Sequence, residues 1–169
     1  METPNSINTW ARATFGSVTA YEAAVRANVE LAELLSAVNN KASTELVAGE
    51  CADVYIVVCQ VPEILGKDLK SLTADLLPPG PPGLHSFQDA ENITVAINVD
   101  MAFLLESLKL DPTGVTDRAV EIHLVHLIRE LERLALFFGV DLFEEVNKKM
   151  QVNRQREWAK TDGGRFQHA

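Results

Sequence analysis

Apolar residues recur every three or four positions along most of the chain, which is the period of an amphipathic helix. Thr19 stands where an N-cap of the first such stretch would lie. No stretch alternates apolar and polar residues in the manner of a strand. The pattern predicts an all-α fold, with helices over residues 21–39, 44–61, 67–77, 89–110 and 115–158.

Proline and glycine divide these helices. Residues 78–83 read Pro-Pro-Gly-Pro-Pro-Gly, which breaks a helix because proline lacks an N–H donor and restrains its neighbour. Residues 111–114, Asp-Pro-Thr-Gly, end the fourth helix, and Gly139 is expected to bend the fifth. Two helical halves joined by a linker or stiff loop are therefore predicted.

The two halves resemble each other. Residues 28–35 match residues 98–105 at an offset of 70 positions, and residues 64–69 match residues 137–142 at an offset of 73. Chance similarity between Leu-rich helices is the alternative, but two collinear matches favour duplication. We predict two helical hairpins, at about 19–77 and 89–150, packed as a four-helix bundle, with short helices and an extended C-terminal segment added.

Length and charge narrow the possibilities. The 169 residues, 47% of them hydrophobic, suit a single domain over 1–169 with one core. A formal net charge of −9 argues against a protein that binds nucleic acid or an anionic membrane through a basic surface. The segment 147–169 is nonetheless basic, which would suit a ligand that carries phosphate.

Two cysteines, Cys51 and Cys59, lie too far apart on one predicted helix to form a disulfide. They are expected to be buried thiols in a reducing compartment. The first ten residues lack the pattern of a signal peptide, and no apolar run reaches the roughly 20 residues of a membrane span. We therefore expect a cytoplasmic protein.

Four carboxylates form the strongest candidate site. Glu30 and Glu33 are three apart on one helix, and Glu50 and Asp53 are three apart on the next, so two antiparallel helices would bring them together. Oxygen ligands without thiolate or imidazole suit Mg²⁺ or Mn²⁺, with two or more ions per site. The plainer alternative is a solvated acidic face on which Arg26 pairs with Glu30.

This pattern resembles the MazG-like all-α nucleoside triphosphate pyrophosphohydrolases, whose signature is E-x-x-E followed by E-x-x-D on neighbouring helices. The chain reads Glu30-Leu-Ala-Glu33 and Glu50-Cys-Ala-Asp53, a complete match. The resemblance implies a MazG-type bundle that binds metal through these four carboxylates. It also implies hydrolysis of a deoxynucleoside triphosphate to a monophosphate and pyrophosphate.

A second resemblance involves residues 10–16, Trp-Ala-Arg-Ala-Thr-Phe-Gly, which are similar to a W-x-x-A-T-F-G segment of the dATP/dGTP diphosphohydrolase (MazZ) group of phages and bacteria. It implies purine deoxynucleotides as substrates, nucleotide-pool control, and a role in phage 2-aminoadenine DNA synthesis in the host cytoplasm. On physical grounds, Trp10 and Phe15 offer flat surfaces for a base, and Asn8 or Asn28 can hydrogen-bond its edge. Alternatively, the two aromatic rings simply cover a core.

Phosphate contacts are expected from the basic end of the last helix. Lys149 and Asn153 are one turn apart, and Lys148 and Arg154 flank them. Similar Lys-x-x-x-x-Asn-Arg segments close many phage MazG-like sequences. The alternative is a solvated helix end favoured by the helix dipole.

The second half lacks the acidic signature. Across the repeat Glu30 becomes Asp100, Glu33 becomes Phe103, and Glu50 and Asp53 become His123 and His126. A transition-metal site from Asp100 and the two histidines is possible, but the phenylalanine favours degenerate packing.

We therefore expect water to attack a phosphorus atom of the substrate, with Glu33 and Glu50 as the catalytic carboxylates and Glu33 as the candidate base. The alternatives are dUTP, dCTP or house-cleaning substrates, or a non-enzymatic helical interaction module. Apolar faces on so few helices also lead us to expect a dimer or tetramer.

Overall fold

The computed structural model describes residues 1–73, 87–111, 118–160 and 166–168. Within them the fold is helical apart from one short pair of strands, which confirms the predicted all-α class. The helices are α1 (Pro4–Phe15), α2 (Ala20–Asn39), α3 (Thr44–Val58), α4 (Gln60–Ile64), α5 (Leu69–Thr73), α6 (Phe87–Leu110), α7 (Arg118–Phe137) and α8 (Leu142–Gln155), and the strands are β1 (Trp158–Lys160) and β2 (Phe166–His168). The predicted linker at 78–83 and the predicted stop at 112–114 lie outside the described residues.

Helix α1 was missing from the prediction. It is capped by Thr3, whose hydroxyl accepts a hydrogen bond from the Ser6 N–H while the Ser6 hydroxyl accepts one from the Thr3 N–H. Pro4 follows the cap, where its fixed φ suits the first turn. The prediction failed here because Ile7 and Ala11 are the only fully buried apolar residues of this helix, which is too few for a clear helical period.

The first hairpin begins as predicted. Thr19 caps α2 through a reciprocal pair of bonds with Glu22. The second predicted helix, 44–61, is instead two helices, because α3 ends at Val58 and α4 starts at Gln60. Pro62 then lies in the first turn of α4, where it removes no helical hydrogen bond. Within the third predicted helix, 67–77, the structure has α5 over Leu69–Thr73, and residues 74–77 lie outside the described part of the chain.

The four long helices contact one another in the closed order α2, α3, α7, α6 and back to α2. Between them lies one continuous apolar core. Its fully buried large side chains include Leu31, Leu34, Ile97, Met101, Leu104, Leu108, Leu124, Leu127, Leu131 and Leu134. Each hairpin of the sequence repeat thus contributes two helices to a common core.

The last predicted helix, 115–158, is also two helices rather than one bent helix. Gly139 adopts a positive φ of 74°, which an L side chain rarely adopts, and Asp141 then caps α8 by accepting bonds from the Phe143 and Glu144 N–H groups. This break lets α8 turn back and pack along α3. The C-terminal basic residues are thereby carried to the first hairpin.

The chain then forms β1, which pairs antiparallel with β2. Strands of three residues are too short to show a periodic signal in sequence, so the prediction had no strand here. Trp158, at the start of β1, donates from its indole N–H to the Asn153 carbonyl at 3.1 Å. This bond holds the ribbon against the end of α8.

Cys51 and Cys59 are buried free thiols, as predicted, and burial raises the pKa of Cys51 to about 12. None of the described helices combines the length and the apolar character that a membrane crossing requires.

Candidate functional site

Helices α2 and α3 bring acidic side chains together. Glu30 and Glu33 of α2 and Asp53 of α3 line the same pocket, which has a volume of about 280 Å³. Glu50 lies one turn before Asp53, and its pKa is raised in part by the charges of Asp53 and Glu33. The predicted set of four carboxylates is therefore one electrostatically coupled cluster.

The negative charge of the cluster is only partly neutralised by neighbouring cations. Burial raises the pKa of Glu30, and the neighbouring Asp53 raises it further. The pKa of Glu50 is raised by the same two causes in the same order. One oxygen of Glu50, Oε2, is buried without a hydrogen-bond partner, which is costly for a carboxylate.

Lys149 of α8 supplies a counter-charge for Asp53 and Glu50, as Arg26 does for Glu30, whose pKa it lowers. The ammonium group of Lys149 pairs with Asp53 Oδ2, and it lowers the pKa of Glu50. The lysine stem crosses α3 at Gly49, where an added Cβ would lie 3.4 Å from Lys149 Cε. A glycine on this face therefore leaves room for the side chain that reaches the carboxylates.

The donor chemistry fits a hard divalent cation. Carboxylate oxygens are the ligands that Mg²⁺ and Mn²⁺ prefer, and the unpartnered Glu50 Oε2 is an oxygen that such an ion would satisfy. Among the residues that the structure describes, however, no three His, Cys, Asp or Glu side chains are already grouped for one ion. Ion binding would require these side chains to converge and Lys149 to release Asp53.

Aromatic rings also line the pocket. Trp10 and Phe15 of α1 meet Trp158 of β1, with edge-to-face ring centroids 5.0 to 6.2 Å apart. The guanidinium of Arg26 lies 4.7 Å from the centre of the Phe15 ring. Trp10 and Phe15 were predicted at this site, whereas Trp158 was missed because its placement depends on the strand pair.

Two amide side chains also line the pocket. Gln60 and Asn153 are both buried pocket-lining residues. Asn153, a predicted site residue, accepts a bond from Arg156 at 3.1 Å. Gln60 and Arg156 were not predicted. A lone glutamine inside the apolar run 54–61 is a signal that would have identified Gln60.

Five predicted contact residues do not line the pocket, and neither does the predicted metal ligand Glu50. One of the five, Lys149, pairs with the pocket residue Asp53. Asn8 is buried with an unpartnered Oδ1, and Asn28 is exposed on α2. Lys148 is exposed and pairs with Glu145 on its own helix. Arg154 binds both carboxylate oxygens of Glu2 at 2.9 Å, so it fastens α8 to the N-terminal segment.

The corresponding place in the second hairpin has different chemistry. His123 Nδ1 lies 2.8 Å from Asp100 Oδ1, His126 Nδ1 lies 3.9 Å from the same oxygen, and Phe103 stacks on the His123 ring. The repeat thus brings the expected four positions together. Because histidines replace two of the acids and a phenylalanine replaces a third, this place carries less negative charge than its counterpart.

The chain matches no protein-family model, no curated protein and no solved structure. The assignment of a function therefore depends on the site itself.

The raised pKa of Glu50 predicts that its charge destabilises the metal-free fold. A carboxyl whose pKa is higher in the folded than in the unfolded chain stabilises the fold at low pH and loses that contribution as the pH rises through the folded value. We expect Glu50→Gln to raise the free energy of unfolding by about 0.5–2 kcal/mol in EDTA at pH 7, measured by urea denaturation.

Glu22→Gln is the matched control on the same hairpin. The pKa of Glu22 is lowered by its bonds to Thr19, so removing that charge should give no gain. If the Glu50→Gln variant is no more stable than wild type, the negative charge of Glu50 does not destabilise the folded chain.

Proposed function

We propose that this chain is a metal-dependent nucleoside triphosphate pyrophosphohydrolase with a MazG-type duplicated bundle, acting on dATP and dGTP. The observation that carries the proposal is one pocket that is lined by two chemically different groups of side chains. Glu30, Glu33 and Asp53 form the acidic group, and three aromatic rings that contact one another form the second group. A nucleotide has two matching parts, with metal-binding phosphates joined to a flat base.

The acidic group would hold the metal and the phosphates. Mg²⁺ or Mn²⁺, two or more ions held by Glu30, Glu33, Glu50 and Asp53, would polarise the phosphate oxygens and lower the pKa of a bound water. Lys149 already reaches this group, so an ammonium freed from Asp53 is placed to contact a phosphate oxygen. Its path over Gly49 keeps it within reach.

Glu33 is the candidate for the residue that orients or deprotonates the water. It lines the pocket and forms no ion pair with another described residue, whereas Asp53 is paired with Lys149. Hydrolysis would join the water oxygen to the α-phosphorus and break the bond between the α-phosphorus and the oxygen that bridges it to the β-phosphorus. The base would take up the water proton, and the bridging oxygen would leave with pyrophosphate. The products are a deoxynucleoside monophosphate and pyrophosphate.

The aromatic group would hold the base. Trp10, Phe15 and Trp158 offer apolar ring surfaces, and Gln60 and Asn153 offer amides for hydrogen bonds to a base edge. The volume of about 280 Å³ is close to the lower limit for small-molecule pockets, which suits one base and its sugar rather than a polymer. The preference for purines, and a role in the 2-aminoadenine pathway, rest on the resemblance of residues 10–16.

The direct test is hydrolysis of each of the four dNTPs with Mg²⁺ or Mn²⁺, followed by chromatography of the products. We expect dAMP and dGMP with pyrophosphate from wild type, and a loss of at least about 100-fold in rate for Glu50→Gln with Asp53→Asn. EDTA should abolish the activity. Glu22→Gln, on the exposed start of α2, should retain it.

Turnover of dUTP or dCTP alone would support the pyrophosphohydrolase activity and would contradict the preference for purine nucleotides. The absence of turnover with every dNTP would contradict the proposal and favour a helical interaction module.

Trp158 should contribute to base binding. Stacking of a base on an aromatic ring contributes about 1–3 kcal/mol, so Trp158→Ala should raise KM by about 5- to 150-fold with a smaller change in kcat. Trp158→Phe should restore much of the affinity. Phe143→Ala, which removes an aromatic ring outside the pocket, is the control. Equal KM values for Trp158→Ala and wild type would exclude Trp158 from the base site.

A further inference from the structure

Two distant parts of the chain supply the aromatic rings of the pocket. Trp10 and Phe15 belong to α1, near the start of the chain, and Trp158 belongs to β1, near its end. The indole of Trp158 is fixed to the end of α8 by its bond to the Asn153 carbonyl. The three rings therefore stay in contact only if α1 keeps its position relative to α8.

Polar contacts, rather than helix packing, tie α1 to α8. Helix α1 packs mainly against the short helix α4. Just before α1, the Glu2 N–H donates to Asn147 Oδ1 at 2.6 Å, and both Glu2 carboxylate oxygens accept bonds from Arg154 at 2.9 Å. The Arg154 guanidinium also donates to the Ser6 carbonyl in the first turn of α1, at 3.4 Å. One side chain of α8 thus contacts both the start of α1 and the residue that precedes it.

The geometry of this ion pair is specific. A guanidinium that donates two N–H groups to one carboxylate fixes direction as well as distance, which a lysine ammonium does not. The Ser6 hydroxyl donates to the same carboxylate and holds it in place. The bond from Arg154 is the largest cause that lowers the pKa of Glu2, and the bond to Glu2 raises the pKa of Arg154. Both groups therefore remain charged around neutral pH.

We propose that Arg154, acting through Glu2, is a positioning residue of the base site, because their ion pair holds α1 on α8 and so keeps Trp10 and Phe15 against Trp158. Arg154 does not line the pocket, so its effect on a nucleotide is indirect. The inference rests on the proposed function for the identity of the ligand. The link between the ion pair and the rings is a property of the free chain and can be measured without a nucleotide.

A change in kinetics follows from where each part of the pocket is carried. Rings that are already in place reduce the cost of ordering the site when a base binds. Loss of the ion pair should let α1 move away from α8, whereas the acidic group is carried by α2 and α3 and should stay as it is. The expected signature is a higher KM without a matching fall in kcat.

The first measurement uses the free chain. Its two tryptophans, Trp10 and Trp158, both lie in this ring cluster, so tryptophan emission and near-UV circular dichroism report on the cluster directly. Arg154→Gln should shift the emission to longer wavelength and weaken the near-UV signal, because the indoles become more exposed. Helical circular dichroism should be unchanged, since the Arg154 side chain is 39% exposed and outside the core.

A double-mutant cycle tests the pair itself. Glu2→Gln should give the spectral change of Arg154→Gln, and the double variant should change no more than either single variant, because all three lose the same interaction. With dATP and Mg²⁺, each variant should raise KM by about 3- to 10-fold and alter kcat by less than about 2-fold. Arg133→Gln is the matched control, because Arg133 is 40% exposed and pairs with Glu130 on its own helix. It should match wild type in both measurements.

Unchanged tryptophan spectra in Arg154→Gln and Glu2→Gln would overturn the inference, and so would additive changes in the double variant. A spectral change with an unaltered KM would also overturn it, since the ion pair would then position the rings but not the base site. If wild type hydrolyses no dNTP, the proposed function fails. The spectral cycle alone then decides whether this ion pair positions the rings.

Discussion

The structure depends on how four carboxylates are kept together where α2 meets α3. Burial and mutual repulsion raise the pKa of Glu30 and Glu50, so the folded chain holds more negative charge there than it neutralises. The Lys149 ammonium offsets part of it. Lys149 reaches the cluster because Gly139 ends α7, Asp141 starts α8 in a new direction, and α8 returns along α3. The break between α7 and α8 thus determines which positive charge lies beside the carboxylates of the first hairpin.

The second hairpin shows what the same framework does without that constraint. Its equivalent place holds Asp100 bonded to His123, with Phe103 stacked on the imidazole and His126 close by, so its one acid has a direct partner. A lysine from outside the hairpin does reach α7, but Lys67 pairs with Glu121 and not with Asp100. On the proposed function, the first hairpin holds the metal site and the second hairpin supports it structurally. On this account each chain carries one site.

The sequence was sufficient to predict the features that depend on the spacing of residues close together in the chain. Helical period, the cap at Thr19 and the paired E-x-x-E and E-x-x-D spacing predicted the helices of the first hairpin and the carboxylates that α2 and α3 share. The sequence was insufficient where the position of a side chain depends on the direction in which a helix runs in the folded chain. Whether Gly139 bends a helix or ends it decides where α8 runs, and Trp158 reaches the aromatic rings of α1 only through the end of α8 and a three-residue strand. The basic residues illustrate the same limit, because neighbours on α8 point to different partners, with Lys149 at Asp53 and Arg154 at Glu2.

The central claim is that the acidic cluster of the first hairpin, and not its histidine-containing counterpart, binds the divalent cation. Titration of Mn²⁺ into isotope-labelled protein, followed by amide NMR, locates the ion directly, because the paramagnetic ion broadens the resonances nearest to it. The account predicts selective broadening around Glu30, Glu33, Glu50 and Asp53, reversed by excess Mg²⁺. Broadening centred on Asp100 and His123, or no site-selective broadening at all, would contradict it.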